Sequence, residues 1–125
     1  MLASVSFALV AAALLTAQGE PTELDGAALT DVFTGASLRG CYPDGAEWHE
    51  LTRADGTLFD QTATPQREVG SWWVENDEIC YRYSVRNPQA GASCWTVFRD
   101  ERHLYFVTSY GSVGAVTNCD DEPIV

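Results

Sequence analysis

The chain contains no lysine: its seven basic side chains are all arginine, they face eighteen acidic ones, and the formal net charge is −11. A nucleic-acid surface needs a clustered basic face, so this balance excludes that class and equally disfavours an anionic membrane surface. The charge fits solubility or a basic protein partner. Long apolar runs are also scarce. Leu2–Leu15 is one, and nothing later repeats it. About 14 apolar residues fall short of a bilayer span but suit the hydrophobic region of a signal peptide. No basic residue precedes the run, as one usually would. Ala17-Gln18-Gly19 puts small residues where a signal peptidase reads, predicting cleavage after Gly19, or else after Ala17, just before Glu20-Pro21. No cysteine follows directly, which disfavours a lipid anchor. The reading is a signal peptide over residues 1–19, one domain over 20–125, a periplasmic or secreted location, and no membrane span after signal removal.

Catalytic signatures are missing too. There are two histidines, His49 and His103, and neither has metal-ligand spacing. His49 neighbours Glu50, but adjacent strand residues point to opposite faces. No G-x-S-x-G occurs, nor a phosphate-binding glycine loop, and Asp120-Asp121-Glu122 lacks the spacing of a calcium loop. No carboxylate stands out as general acid or base. No cofactor or metal is expected, and a non-enzymatic protein is favoured over an enzyme.

What the chain does have is four cysteines: Cys41, Cys80, Cys94 and Cys119. An even number in an exported chain predicts disulfides. Zinc sites bring ligands in close pairs, whereas the nearest pair here, Cys80 and Cys94, lies fourteen apart. Three connectivities are possible. The favoured one joins Cys80 to Cys94 across one loop, and Cys41 to Cys119, first strand to last.

The chain between the cysteines reads mostly as strands. Thr22–Thr34 places Leu24, Ala28, Leu29, Val32 and Phe33 on one helical face, with Gly35 at its stop. Alternating runs follow over Ser37–Tyr42, Glu47–Thr52, Thr57–Gln61, Val69–Glu75, Ile79–Val85, Cys94–Arg99, His103–Ser109 and Ala115–Cys119. Pro43-Asp44-Gly45 and Ala54-Asp55-Gly56 are turns, the second a strong hairpin signal. Turns every eight to twelve residues predict a mostly β fold: a short N-terminal helix, then an antiparallel meander of about eight strands, forming a small lipocalin-like barrel or a sandwich. Trp72 and Trp73 should lie on opposite faces. Trp48, Trp73, Tyr81, Tyr83 and Trp95 are candidates to line a ligand cavity, since an eight-stranded barrel can hold one small ligand.

Several short motifs occur in order: Gly35-x-x-Leu38-x-Gly40, Trp48-x-Glu50-Leu51, Asp55-Gly56-Thr57, Gly70-Ser71-Trp72-Trp73-Val74, Glu78-Ile79-Cys80 and Cys94-Trp95-x-Val97. The series resembles a family of small periplasmic proteobacterial proteins of unknown function, marked by G-x-W-x-V, a strand ending L-C, and C-Y-x-V after a short loop. The resemblance spans roughly Leu24 to Ser109. Ile79 and Trp95 replace the usual Leu and Tyr, and Cys41 and Cys119 fall outside the pattern. It implies the β fold and the 80–94 bridge, and brings no activity. Two functions are carried forward: an interaction module for a protein partner, with an inhibitor of a basic secreted enzyme such as a lysozyme in that class, and a small-ligand carrier.

Overall fold

The computed structural model describes residues 19–119. The apolar run assigned to the signal peptide and the Asp120–Pro123 tail lie outside the described residues. The chain runs β1 (Thr22–Glu23), α1 (Gly26–Phe33), β2 (Ala36–Cys41), β3 (Glu47–Thr52), β4 (Thr57–Asp60), β5 (Arg67–Glu75), β6 (Glu78–Arg82), β7 (Ser93–Arg99), β8 (Leu104–Val107) and β9 (Val113–Thr117). From β2 to β9 each strand pairs antiparallel with the next, and β9 returns to pair with β2. The meander therefore closes into an eight-stranded barrel, not a sandwich.

The first correction concerns Thr22–Glu23. It is a strand on the edge of β7, with Thr22 opposite Arg99 and Glu23 opposite Phe98, rather than the start of a helix. The helix begins later because Asp25 is its cap: Asp25 Oδ1 accepts the Ala28 N–H at 2.9 Å. Gly26 is thus the first helical residue, where its intrinsic cost is small, and its N–H donates to Asp77 Oδ1 in the β5–β6 turn at 2.8 Å. Gly35 ends the helix at φ 72°. The other boundaries shift by a few residues: β6 stops at Arg82, β8 spans Leu104–Val107, and β9 starts at Val113 rather than Ala115.

Helix α1 closes one end of the barrel. Leu29 and Phe33 are fully buried, in one core with Leu58, Val97 and Phe106. The Phe33 ring meets Phe106 edge-on, with centroids 5.9 Å apart. Thr52 Oγ1 donates to the Phe33 carbonyl, and the Gly35 N–H donates to the Thr52 carbonyl at 2.7 Å, tying the helix end to β3. The loops at the other end, residues 42–46, 61–66, 83–92 and 108–112, surround an open mouth.

Both predicted disulfides are present, Cys80–Cys94 with a Cα–Cα distance of 4.0 Å and Cys41–Cys119 with 6.1 Å. Two disulfides fit an oxidising environment outside the cytosol. Among the described residues no helix is long and apolar enough to cross a membrane.

Two glycines make room for the interior tryptophans. A Cβ on Gly40 would lie 2.1 Å from the Val116 carbonyl oxygen and 2.5 Å from Trp48 Cζ2. Gly114 is skipped in the β8–β9 register, where Phe106 faces Ala115 and Val107 faces Val113, and a Cβ on it would lie 2.4 Å from Trp95 Cζ3. Gly114 is therefore a bulge under Trp95, and β9 extends through it. At Gly40 the nearer obstacle is backbone, which cannot rotate away. Gly40→Ala is expected to destabilise by about 1–3 kcal/mol, the usual range for overpacking, read as a lower urea midpoint at unchanged m-value.

Candidate functional site

Strand alternation decides which side chains enter the barrel. On β3, Trp48 and Glu50 point inward and His49 outward. On β6 and the loop after it, Tyr81 and Tyr83 point inward while Cys80 does not. These residues, with Trp95 from β7, Phe106 from β8 and Ala115 from β9, line a cavity of about 40 Å³ at the mouth. Tyr42, just after β2, completes it. Phe106 forms the link to the plugged end: it meets Phe33 on one side and Trp48 edge-on at 5.7 Å on the other.

Four of the five aromatics expected to line a cavity are therefore together: Trp48, Tyr81, Tyr83 and Trp95. Trp73 is not. It lies on the outer face of β5, its Nε1 donates to Glu75 at 2.8 Å, and the Arg82 guanidinium sits 4.8 Å from its ring centroid. Trp72, on the opposite face, is buried, and its Nε1 donates to the Arg53 carbonyl at 2.7 Å. The expected split between the two tryptophans holds, with Trp72 the inner one.

Glu50 is the acidic group of the cavity. The Tyr83 hydroxyl donates to its two oxygens at 3.0 and 3.3 Å. Tyr81 and Tyr83 stack with centroids 5.9 Å apart. Burial raises the Glu50 carboxyl above its ordinary value; the Tyr83 hydrogen bond opposes this and the Asp60 charge adds to it. Burial and the Glu50 charge in turn hold the Tyr81 and Tyr83 phenols protonated. The Trp48 Nε1 is buried with no protein acceptor.

The sign of the Glu50 shift fixes a prediction. A carboxyl raised in the folded state is costly to ionise there, so its contribution to stability is fully present below its unfolded value and is lost as pH rises through its folded value. Glu50→Gln keeps an acceptor for Tyr83 and removes the charge. The variant is expected to melt higher than the parent at neutral pH and to converge with it below about pH 4, near the free glutamate value, in paired thermal melts across that range.

The two histidines lie elsewhere. His49 Nε2 is 3.0 Å from Ser37 Oγ on the outer face, but that hydroxyl donates to Gln61 Oε1 at 2.6 Å. His49 therefore meets the serine as a donor, the reverse of a general base. His103 is buried beside Asp100 at 3.8 Å in the β7–β8 turn, a polar residue of the plugged end rather than an open strand. Asp44 and Asp55 are turn residues, accepting the N–H groups of Ala46 and Thr57. Among the described residues, Glu75, Cys80 and Cys94 form the one grouping of metal-type ligands, and its two sulfurs are bonded to each other.

The surface around the cavity is unusual. Among the described residues, the exposed large hydrophobics are Tyr42, Tyr83, Val85, Tyr110 and Val113, with Tyr110 94% exposed. All five belong to loops or strand ends of the mouth. None lies at the plugged end. Residue periodicity alone did not reveal this ring, because its members come from three separate loops. No family model, curated protein or solved structure matches the chain.

Proposed function

We propose that the protein is an exported, non-enzymatic binding module of the periplasm or the extracellular space, and that it docks a basic protein partner with the open mouth of its barrel. The observation that carries this is the ring of exposed apolar residues confined to the mouth. Apolar residues scattered over a whole surface are normal, whereas their confinement to one end of a barrel supports an interaction site there. Aromatic anchors at the centre of an interface commonly supply most of its energy, and Tyr110 and Tyr83 are placed for that role. The net charge of −11 favours a basic partner and faster encounter at low salt.

The reading of a small-ligand carrier draws support from the aromatic cavity. Its volume, about 40 Å³, is well below that of an engineered apolar cavity of about 150 Å³ that takes up benzene. The cavity suits a single group inserted from outside better than a whole enclosed ligand.

The test is titration of the mature, oxidised protein against a panel of basic secreted proteins by calorimetry, at low and at physiological salt. The expected result is a complex that weakens with salt and that Tyr110→Ala weakens at least tenfold. Binding that ignores both salt and Tyr110→Ala would place the interface away from the mouth.

A further inference from the structure

We propose that the mouth cavity takes an alkylammonium head group, with Glu50 as its counter-ion and the rings of Trp48, Tyr81, Tyr83 and Trp95 as its walls. The proposal rests on the reading of the mouth as the binding surface and names the chemistry of what enters it.

The cavity holds an acidic group and no cation. None of its lining residues is arginine or histidine, and the chain has no lysine to offer. Glu50 is half-buried, and a carboxylate drawn out of water is costly unless paired and hydrogen-bonded. Glu50 receives one hydroxyl, from Tyr83, whereas two carboxylate oxygens have about four acceptor positions. The remaining surroundings are aromatic rings, and ring faces attract cations within about 6 Å of their centroids. Carboxylate and rings thus select the same sign of charge. An anion is disfavoured: the donors of the lining, the Trp48 indole N–H and the tyrosine hydroxyls, are all neutral and do not offset the Glu50 charge. A neutral apolar group would remove water from the carboxylate and return nothing.

Size and access narrow the class. A cavity of about 40 Å³ admits an ammonium and its adjoining methylene groups, not an aromatic ring. Tyr42 and Tyr83, 40% and 52% exposed, are the most accessible lining residues and mark the entrance. The head group could come from a free amine or from a lysine side chain of a docked protein; the chemistry at Glu50 is the same.

The indole N–H signals in a ¹H–¹⁵N spectrum of the oxidised protein provide the test and its controls. Trp48 and Trp95 line the cavity, whereas Trp72 and Trp73 do not. With n-butylammonium, Trp48 and Trp95 are expected to shift saturably while Trp72 and Trp73 stay in place. 1-Butanol at equal concentration should leave all four unmoved. Glu50→Gln should weaken butylammonium at least tenfold without changing the unliganded spectrum elsewhere. Tyr83→Phe, which frees Glu50 of its hydroxyl, should bind as tightly or more tightly. If Nα-acetyl-lysine methylamide shifts the same signals, the source is a partner's lysine; if only butylammonium does, it is a free amine. Equal binding of butanol, or full binding by Glu50→Gln, overturns the charge assignment and leaves the mouth as a binding surface. No shift with any probe overturns the cavity as a site, while the Tyr110→Ala comparison judges the mouth independently.

Discussion

Reducing both disulfides is expected to unfold this protein at room temperature. The two bridges act on different parts of the barrel. Cys80 and Cys94 are fourteen residues apart and directly opposite each other on β6 and β7. Closing a loop of that length removes about 3 kcal/mol of unfolded-chain entropy. Cys41 and Cys119 are 78 apart, and the same relation gives about 4–5 kcal/mol. The second bridge also sits at the weakest seam. β2 meets β9 in two register pairs, Gly40 with Thr117 and Cys41 with Val116, against six between β2 and β3. One more backbone bond, Asn118 N–H to the Arg39 carbonyl, extends it. The shorter loop lies inside the longer one, so the two effects are not additive. Their combined size still reaches the total stability of an ordinary domain, about 5–15 kcal/mol. Cys41→Ser/Cys119→Ser should lose more in chemical denaturation than Cys80→Ser/Cys94→Ser. Hydrogen exchange in the former should rise first along β2 and β9. A reduced protein that keeps its near-ultraviolet circular dichroism would show that the core alone suffices.

Phe33→Ala is expected to cost about 3–5 kcal/mol, the range for deleting a buried phenylalanine. Phe33 is 1% exposed and is the plug residue that touches Phe106. Removing it leaves a void between helix and barrel that the helix cannot fill by sliding. Gly26 holds its start at Asp77, and the hydroxyl of Thr52 holds its end. For a domain of about 100 residues the loss corresponds to a fall in melting temperature of about 12 °C or more. Phe59→Ala, a partly exposed change on β4, is the control and should cost less. Equal losses for the two would mean that α1 contributes no more to the core than the outer surface does.

The helical face from Ala28 to Phe33, though not Leu24, which precedes the helix, the eight barrel strands and both turns with Asp-Gly were legible because each rests on local pattern. The β1 strand was not. Two residues, Thr22 and Glu23, carry no periodicity, and their pairing with Phe98 and Arg99 is long-range. The cavity was half legible. Alternation puts Trp48 and Glu50 on one face, and Tyr81 and Tyr83 on one face, but a single strand does not say which face is inside. Hence Trp73 was misassigned, and Glu50 did not stand out among the eighteen acidic residues. Phe106, Ala115 and Tyr42 join the cavity only through barrel closure, which depends on β9 reaching β2.

The central claim is that the mouth, not the plugged end, is the surface that meets a partner. It is tested most directly by site-specific photo-crosslinking of the oxidised protein with a panel of basic secreted proteins, with the reactive group at Tyr110 in one version and at Glu101, in the β7–β8 turn, in another. Discrete adducts at Tyr110 with none at Glu101 are the predicted result. Adducts at Glu101 alone, or equally at both positions, would contradict it.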